Sequence, residues 1–229
     1  MPIAVVTGAN SGIGHAFAKL LVCEGYTVIA ADMTITGPIQ DLGCETHQLD
    51  VTSPSSITTF KATIARRPID ILLNIAGAMS LPAKDSLEAV TLQGLEKTFG
   101  VNTYGPLLLT QALLPYVLLA KEPKVVVMSS RMGSIADNSS GGQYAYRASK
   151  AAVNAIFKSL AVDLERKGVA VVLLHPGIVK TNLTAGGEDL GNQAVEPEQA
   201  VQDLWSVLKG KGMDDSGRWW HRNGEELPW

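Results

Sequence analysis

The sequence predicts a three-layer α/β sandwich, a central sheet of seven parallel strands with helices on both faces, and three observations predict it. Short β-branched or aliphatic runs alternate with helix-length amphipathic segments from one end of the chain to the other, which is the pattern of repeated strand–helix units. Most of those runs carry no alternating polar residue, as expected of strands covered on both faces. At 229 residues, with 46% hydrophobic, 18% charged and 6% aromatic residues, the chain supports one large core, so residues 1–229 are read as a single domain.

The strands fall at 3–6, 27–31, 45–49, 70–74, 124–128, 170–175 and, on a weaker pattern, 218–221. Helices are expected between them, first at 13–24, then at 55–66 with Ser53 or Pro54 at its start. A longer helix at 92–120 is interrupted around Val101 and Asn102. In 146–167, Val153, Ile156, Phe157, Leu160 and Leu164 recur at helical spacing, so one face packs on the sheet, and Gly168 closes the helix. The last helix covers 197–209 with Pro197 in its first turn. Two loops rich in Gly and Ser, 133–142 and 185–191, follow strands at the edge where such sheets bind ligands.

Net charge is −3 and no run of Lys or Arg occurs, so the chain sets up no field that would draw in nucleic acid or an anionic membrane. No apolar run reaches the roughly 18 residues of a spanning helix. The N-terminus runs straight into the first strand without a leader pattern, and a cytoplasmic address is expected. Cys23 and Cys44 lack any paired spacing and are expected to be reduced thiols. His15, His47, His175 and His221 are scattered, so no metal site is expected. Trp219, Trp220 and Trp229 are expected to pack on the core around the last strand.

Directly after the first strand stands Thr7-Gly8-Ala9-Asn10-Ser11-Gly12-Ile13-Gly14, and a helix follows at once. Backbone N–H groups at a helix N-terminus bind phosphate, so such a turn needs residues without side chains where chain and phosphate approach. Gly8, Gly12 and Gly14 supply them, with Asn10, Ser11 and Ile13 in the same turn. The order strand, turn, helix, strand is that of a Rossmann-type dinucleotide site. Asp32 closes the second strand, where a carboxylate can accept both hydroxyls of an adenosine ribose and would repel a 2′-phosphate. From Leu20 through Phe60 there is no Lys or Arg to neutralise one, so NAD is favoured over NADP. Asp50 and Val51, after the third strand, would flank the adenine.

Tyr146 and Lys150 lie one turn apart at the start of a helix and share a face. A phenol is too weak a base at neutral pH, but a neighbouring ammonium stabilises the phenolate, so the pair predicts a lowered tyrosine pKa and a general acid/base. The fifth strand runs into Ser129-Ser130, which places a hydroxyl at the carboxyl edge of the sheet. Asn74, Ala76 and Gly77 end the fourth strand, and Asn102 lies within the interrupted helix.

Taken together, Thr7-Gly8-x-x-x-Gly12-x-Gly14, Asp50, Asn74-x-Ala76-Gly77, Asn102, Ser130, Tyr146-x-x-x-Lys150 and Pro176-Gly177 resemble the short-chain dehydrogenase/reductase family over nearly the whole chain. The stretch Gly142 to Lys150, with His175-Pro176-Gly177 and Asn223-Gly224, is most similar to its small carbonyl reductases of the C-factor and sniffer branch. The resemblance implies that Tyr146 is the general acid/base, that Ser130 holds the substrate oxygen and that Lys150 binds the nicotinamide ribose while tuning Tyr146. It implies that Asn102 positions a water relaying protons to Lys150, that Asn74 and Gly77 border the cofactor, and that Thr181 meets the carboxamide, with Pro176, Gly177 and Val179 lining the same edge. Ser134 is the rival to Ser130, which is preferred because it follows the strand directly. The branch usually prefers NADPH, so NADP stays the alternative to NAD.

The expected activity is hydride transfer between that dinucleotide and a carbonyl or secondary alcohol, with both sites in the one domain. Met79, Leu81, Met132, Ile135 and Leu183 point to an apolar substrate, and the short Gly-rich segment between Lys180 and Val195 to an open pocket. By resemblance, a homodimer or homotetramer pairs through the long helices. A dinucleotide-binding sensor, scaffold or non-redox biosynthetic protein on the same fold is the alternative.

Overall fold

The computed structural model describes residues 1–184 and 193–229, so the expected loop at 185–191 lies outside the described residues. In chain order the elements are β1 (Ile3–Thr7), α1 (Gly12–Cys23), β2 (Thr27–Asp32), β3 (Glu45–Gln48), α2 (Pro54–Thr63), β4 (Ile71–Asn74), α3 (Leu92–Phe99), α4 (Gly105–Val117), β5 (Lys124–Met128), α5 (Tyr144–Leu164), β6 (Ala170–His175), α6 (Pro197–Lys209) and β7 (Arg218–His221). All seven strands join one parallel sheet in the order β3-β2-β1-β4-β5-β6-β7. The chain therefore builds outward from β1 to β3, then returns to the other side of β1 with β4. In open α/β sheets such a reversal opens a crevice at the strands' carboxyl ends, the usual place for a ligand.

The aliphatic strands are buried on both faces because each face has its own core. On one side Phe17 and Leu21 of α1 meet Leu204 and Trp205 of α6 over Val6, Val28 and Val126. On the other, Phe60 of α2, Leu109 and Leu113 of α4 and Phe157 of α5 pack over Val5, Leu72 and Val125. Each such side chain contributes about 1.5–3 kcal/mol by leaving water. At the far edge Trp219 and Trp220 are buried in the core as expected, whereas Trp229 stacks on Trp219 with ring centroids 5.8 Å apart and stays exposed.

Most boundaries shift by a few residues from the sequence reading, and two of the differences matter for the site. The expected helix at 92–120 is α3 and α4 joined by a π turn over Gly100–Tyr104. Pro106 has no N–H to give the Asn102 carbonyl, its α-helical acceptor, and the helix widens there. Helix α5 begins at Tyr144 rather than Tyr146 and has no side-chain cap from Gln143.

Candidate active site

A cavity of about 580 Å³ opens along the carboxyl ends of β1, β2, β4, β5 and β6, at the reversal. The turn after β1 forms one end of it. Gly8 and Gly12 hold left-handed φ of +71° and +54°, and a Cβ on Gly14 would lie 2.1 Å from the Gly8 carbonyl oxygen. Only glycine lets α1 start this close to the strand, and its first N–H groups then face the cavity. This cradle, with Gly8, Ser11, Gly12, Ile13 and Gly14 in its wall, fits a pyrophosphate.

Asp32 lines the same end, its carboxylate fixed by the N–H groups of Asn10 at 3.1 Å and Thr34 at 3.0 Å. Asp50 and Val51 stand nearby, Asp50 being held by the Thr52 N–H and hydroxyl at 2.9 and 2.7 Å. Ala76 and Gly77 form the facing wall, positioned by Thr7, whose hydroxyl accepts the Ile75 and Ala76 N–H groups at 3.0 and 3.1 Å. Pro176, Gly177, Val179 and Thr181 lie along the edge beyond β6.

Asn10 and Asn74, expected beside the cofactor, and Asn102, expected to position a proton-relaying water, bond the protein instead, and Asn74 Oδ1 is buried with no partner among the described residues. Asn10 bonds the Ile39 N–H and the Thr36 carbonyl, each at 3.0 Å, and lines only a neighbouring cavity behind the turn. Asn74 is buried, its amide donating to Thr110 Oγ1 at 3.3 Å and the Val126 carbonyl at 3.2 Å. Asn102 accepts the Ala78 N–H and donates to the Ala78 carbonyl, both at 2.8 Å, and gives its second proton to Ser149 Oγ at 3.0 Å. Neither Asn74 nor Asn102 reaches the cavity wall. A polar residue near a strand end reads as ligand-facing, but nearby backbone groups can claim it first.

At the reaction end Ser130, Tyr146 and Lys150 converge on the cavity. Ser130 follows β5 directly and opens a short turn, its hydroxyl accepting the Met132 N–H at 3.3 Å. Ser134 is buried, accepts the Asp137 N–H at 3.1 Å and does not line the cavity, whereas Ser130 does. Lys150 Nζ donates to the Met128 carbonyl at 2.8 Å and lies 5.7 Å from the Tyr146 ring centroid. Burial lowers its ammonium to a pKa of about 8.

The phenol does not follow the sequence expectation. Burial pushes the Tyr146 pKa up, and only the Ser130 hydroxyl pulls it back. Desolvation outweighs the lysine because the ammonium is turned to Met128 and stands off from the ring. Tyr146 is therefore a protonated phenol at neutral pH, beside an ammonium that is still mostly charged.

Several contributors escaped the sequence reading. Gly133 lets the turn after Ser130 lie on α5, since a Cβ there would come within 2.7 Å of the Lys150 backbone. His175 lines the cavity as a neutral imidazole, held near pKa 3 by burial and then by His221, Arg131, Arg222 and Lys150, and its buried Nδ1 has no partner among the described residues. Its place before Pro176-Gly177 was the available signal. Of the expected apolar residues, Met79, Leu81 and Leu183 line the cavity, whereas Met132 and Ile135 do not. Among the described residues no group of three or more His, Cys, Asp or Glu could hold a metal ion, Cys23 and Cys44 are unpaired, and no helix is long and apolar enough to cross a membrane.

Comparison with known proteins agrees with this arrangement. The family model for short chain dehydrogenases matches residues 2–189. The chain is 35% identical over 234 residues to 1-hydroxy-2-glutathionyl-2-methyl-3-butene dehydrogenase of Rhodococcus sp. (strain AD45), with 100% of both chains covered. It is 38% identical over 170 residues to C-signal of Myxococcus xanthus, covering 74% of this chain and 98% of that one. Among solved structures, the NADPH-bound carbonyl reductase from chicken fatty liver superposes with a TM-score of 0.91 at 28% identity, covering 100% of each chain. The carbonyl reductase Sniffer of D. melanogaster gives 0.88 at 28% identity, covering 100% of this chain and 99% of that one.

Proposed function

Because the chain belongs to the short-chain dehydrogenase family, we propose that this oxidoreductase transfers a hydride between a nicotinamide dinucleotide and a small carbonyl or secondary alcohol, with Tyr146 as general acid/base. The observation that carries this reading is the convergence of Ser130, Tyr146 and Lys150 on the cavity that also holds the glycine cradle. The bound dinucleotide supplies or takes the hydride. The protein's part is to place and charge-match the substrate oxygen.

In the reducing direction Ser130 Oγ donates to the carbonyl oxygen, and the protonated Tyr146 delivers its proton there as negative charge develops. The raised phenol pKa suits this, since an acid must arrive protonated. Lys150 then stands beside the phenolate so formed and also binds the nicotinamide ribose. Oxidation of an alcohol runs the same steps backwards. The Asn102 side chain is occupied by Ala78 and Ser149. Its contribution to a water-borne proton path to Lys150 is therefore its main-chain carbonyl, which Pro106 deprives of the usual donor.

NAD is the proposed dinucleotide, supported by the fixed Asp32 carboxylate at the adenosine end and the absence of Lys or Arg from Leu20 through Phe60. NADP is the second reading, and the solved structures favour it over NAD: the chicken carbonyl reductase is NADPH-bound and a short-chain dehydrogenase/reductase of Burkholderia multivorans holds NADP. The substrate is apolar, in keeping with Met79, Leu81 and Leu183 in the wall, and subunits pair through the long helices, where Tyr104, Leu108 and Val162 are exposed. Turnover of a panel of ketones and aldehydes with NADH and NADPH, parent against Tyr146→Phe, tests the whole reading. Loss of turnover in the variant supports it. Dinucleotide binding without turnover in either protein would make the chain a sensor or scaffold on this fold.

A further inference from the structure

Helix α5 carries both Tyr146 and Lys150 yet supplies no cap for its own N-terminus. Gln143, at the N-cap, has a left-handed φ of 51° and makes no side-chain cap bond. The cap comes from Asp85, 60 positions before Ala145: its Oδ1 accepts the Ala145 N–H at 2.8 Å, and its Oδ2 accepts the Tyr146 N–H at 3.1 Å. The Asp85 main-chain carbonyl also accepts the Tyr144 N–H at 3.4 Å. Asp85 is 1% exposed and makes no ion pair among the described residues. What stabilises its buried carboxylate is the set of free N–H groups and the positive dipole end of α5.

The other end of the same segment is tied to the same residue. Ala78 is held by Asn102 through two bonds of 2.8 Å, Asn102 donates to Ser149 at 3.0 Å, and the Ser149 hydroxyl donates to the Tyr146 carbonyl at 2.8 Å. Both polar groups of the Tyr146 main chain are thus gripped from segment 78–85, Asp85 on the N–H and the Asn102–Ser149 brace on the carbonyl. Between the two grips, Met79 and Leu81 line the cavity.

We infer that Asp85 is a positioning residue for Tyr146: it fixes the pivot from which the phenol reaches the substrate oxygen and joins that pivot to the wall against which the substrate rests. This rests on the proposed acid/base role of Tyr146. A carboxylate suits the task because each of its two oxygens takes one N–H group and its charge strengthens both bonds.

The test compares Asp85→Ala and Asp85→Asn with the parent in the full-length chain, measuring kcat, KM, NADH affinity and hydrogen exchange at the Ala145 and Tyr146 amides. Asp85→Ala should lower kcat about 10- to 100-fold, the scale of a small misplacement of a reacting group, while NADH affinity is unchanged. Both amides should lose protection, and Asp85→Asn should recover part of both effects because its amide oxygen still accepts one bond. Leu208→Ala, on the buried face of α6, is the control: it should lose thermal stability with kcat intact. The inference is overturned if the Asp85 variants lose stability but keep the parent's kcat per folded molecule, or if kcat falls only together with NADH affinity. Should Asp85→Ala fail to fold, Asp85→Asn decides between the same outcomes. A parent that turns over no carbonyl refutes the acid/base role of Tyr146, while amide exchange still reports whether Asp85 caps α5.

Discussion

The phosphate end of the cavity is built from neighbours in sequence, whereas the reaction end is assembled from residues far apart in the chain. In the turn over 7–14, the fold needs only glycines whose φ values and missing Cβ atoms admit the chain's own path, so the information lies within one short stretch. Around Tyr146 the restraints from outside its own helix are long-range: Asp85 on its N–H, Asn102 behind Ser149, and Met128 holding Lys150. A local device binds what many proteins bind, and a long-range one can be altered piece by piece to suit a particular substrate.

That contrast predicts which substitutions separate binding from chemistry. The largest effect is expected at the reaction end, where Tyr146→Phe should cost about 10²- to 10⁴-fold in kcat with dinucleotide affinity retained, as read by steady-state kinetics and cofactor titration. At the phosphate end, Gly14→Ala should abolish dinucleotide binding. Because its Cβ would meet the Gly8 carbonyl oxygen at 2.1 Å, it should also lower stability by about 1–3 kcal/mol in urea unfolding. Asp32→Ala should weaken NADH by about 1.5–3 kcal/mol, the worth of hydrogen bonds to a charged group, and narrow any gap to NADPH. If the parent already binds NADPH more tightly, the electrostatic argument for NAD is wrong.

A smaller effect concerns pH. Lys150 carries its charge below about pH 8 and loses it above, well before an ordinary lysine at 10.5. Carbonyl reduction should therefore decline through that point, and Lys150→Arg, always charged, should remove this decline in whatever activity it keeps. The linkage to folding has the opposite sense. Between about pH 8 and 10.5 the unfolded chain holds a proton that the folded chain has released, so this group makes stability rise with pH. The smallest effect is expected far from both ends, where Cys23→Ser on the exposed tail of α1 should stay within about 0.5 kcal/mol in the same unfolding assay.

The same contrast explains what could be read in advance. The strands were legible because burial on two faces demands unbroken aliphatic runs, and the phosphate turn because Gly8, Gly12 and Gly14 fall within one short stretch between strand and helix. Tyr146 and Lys150 were legible because helical spacing alone puts them together. The roles of Asn10, Asn74 and Asn102 were not, since their amides satisfy backbone groups that only the folded chain brings near. Nor was the start of α5, whose cap lies 60 positions away from Ala145, or the direction of the Tyr146 pKa, which burial sets and spacing does not.

The central claim is that the Tyr146 phenol, steadied by Lys150, meets the substrate oxygen where the hydride is exchanged. A structure with nicotinamide dinucleotide and a carbonyl ligand tests it most directly. The account predicts the phenol oxygen about 2.6–3.2 Å from the ligand oxygen, Ser130 on that same oxygen and Lys150 on the nicotinamide ribose. A phenol directed away from the ligand, with another hydroxyl or a water in its place, would contradict it.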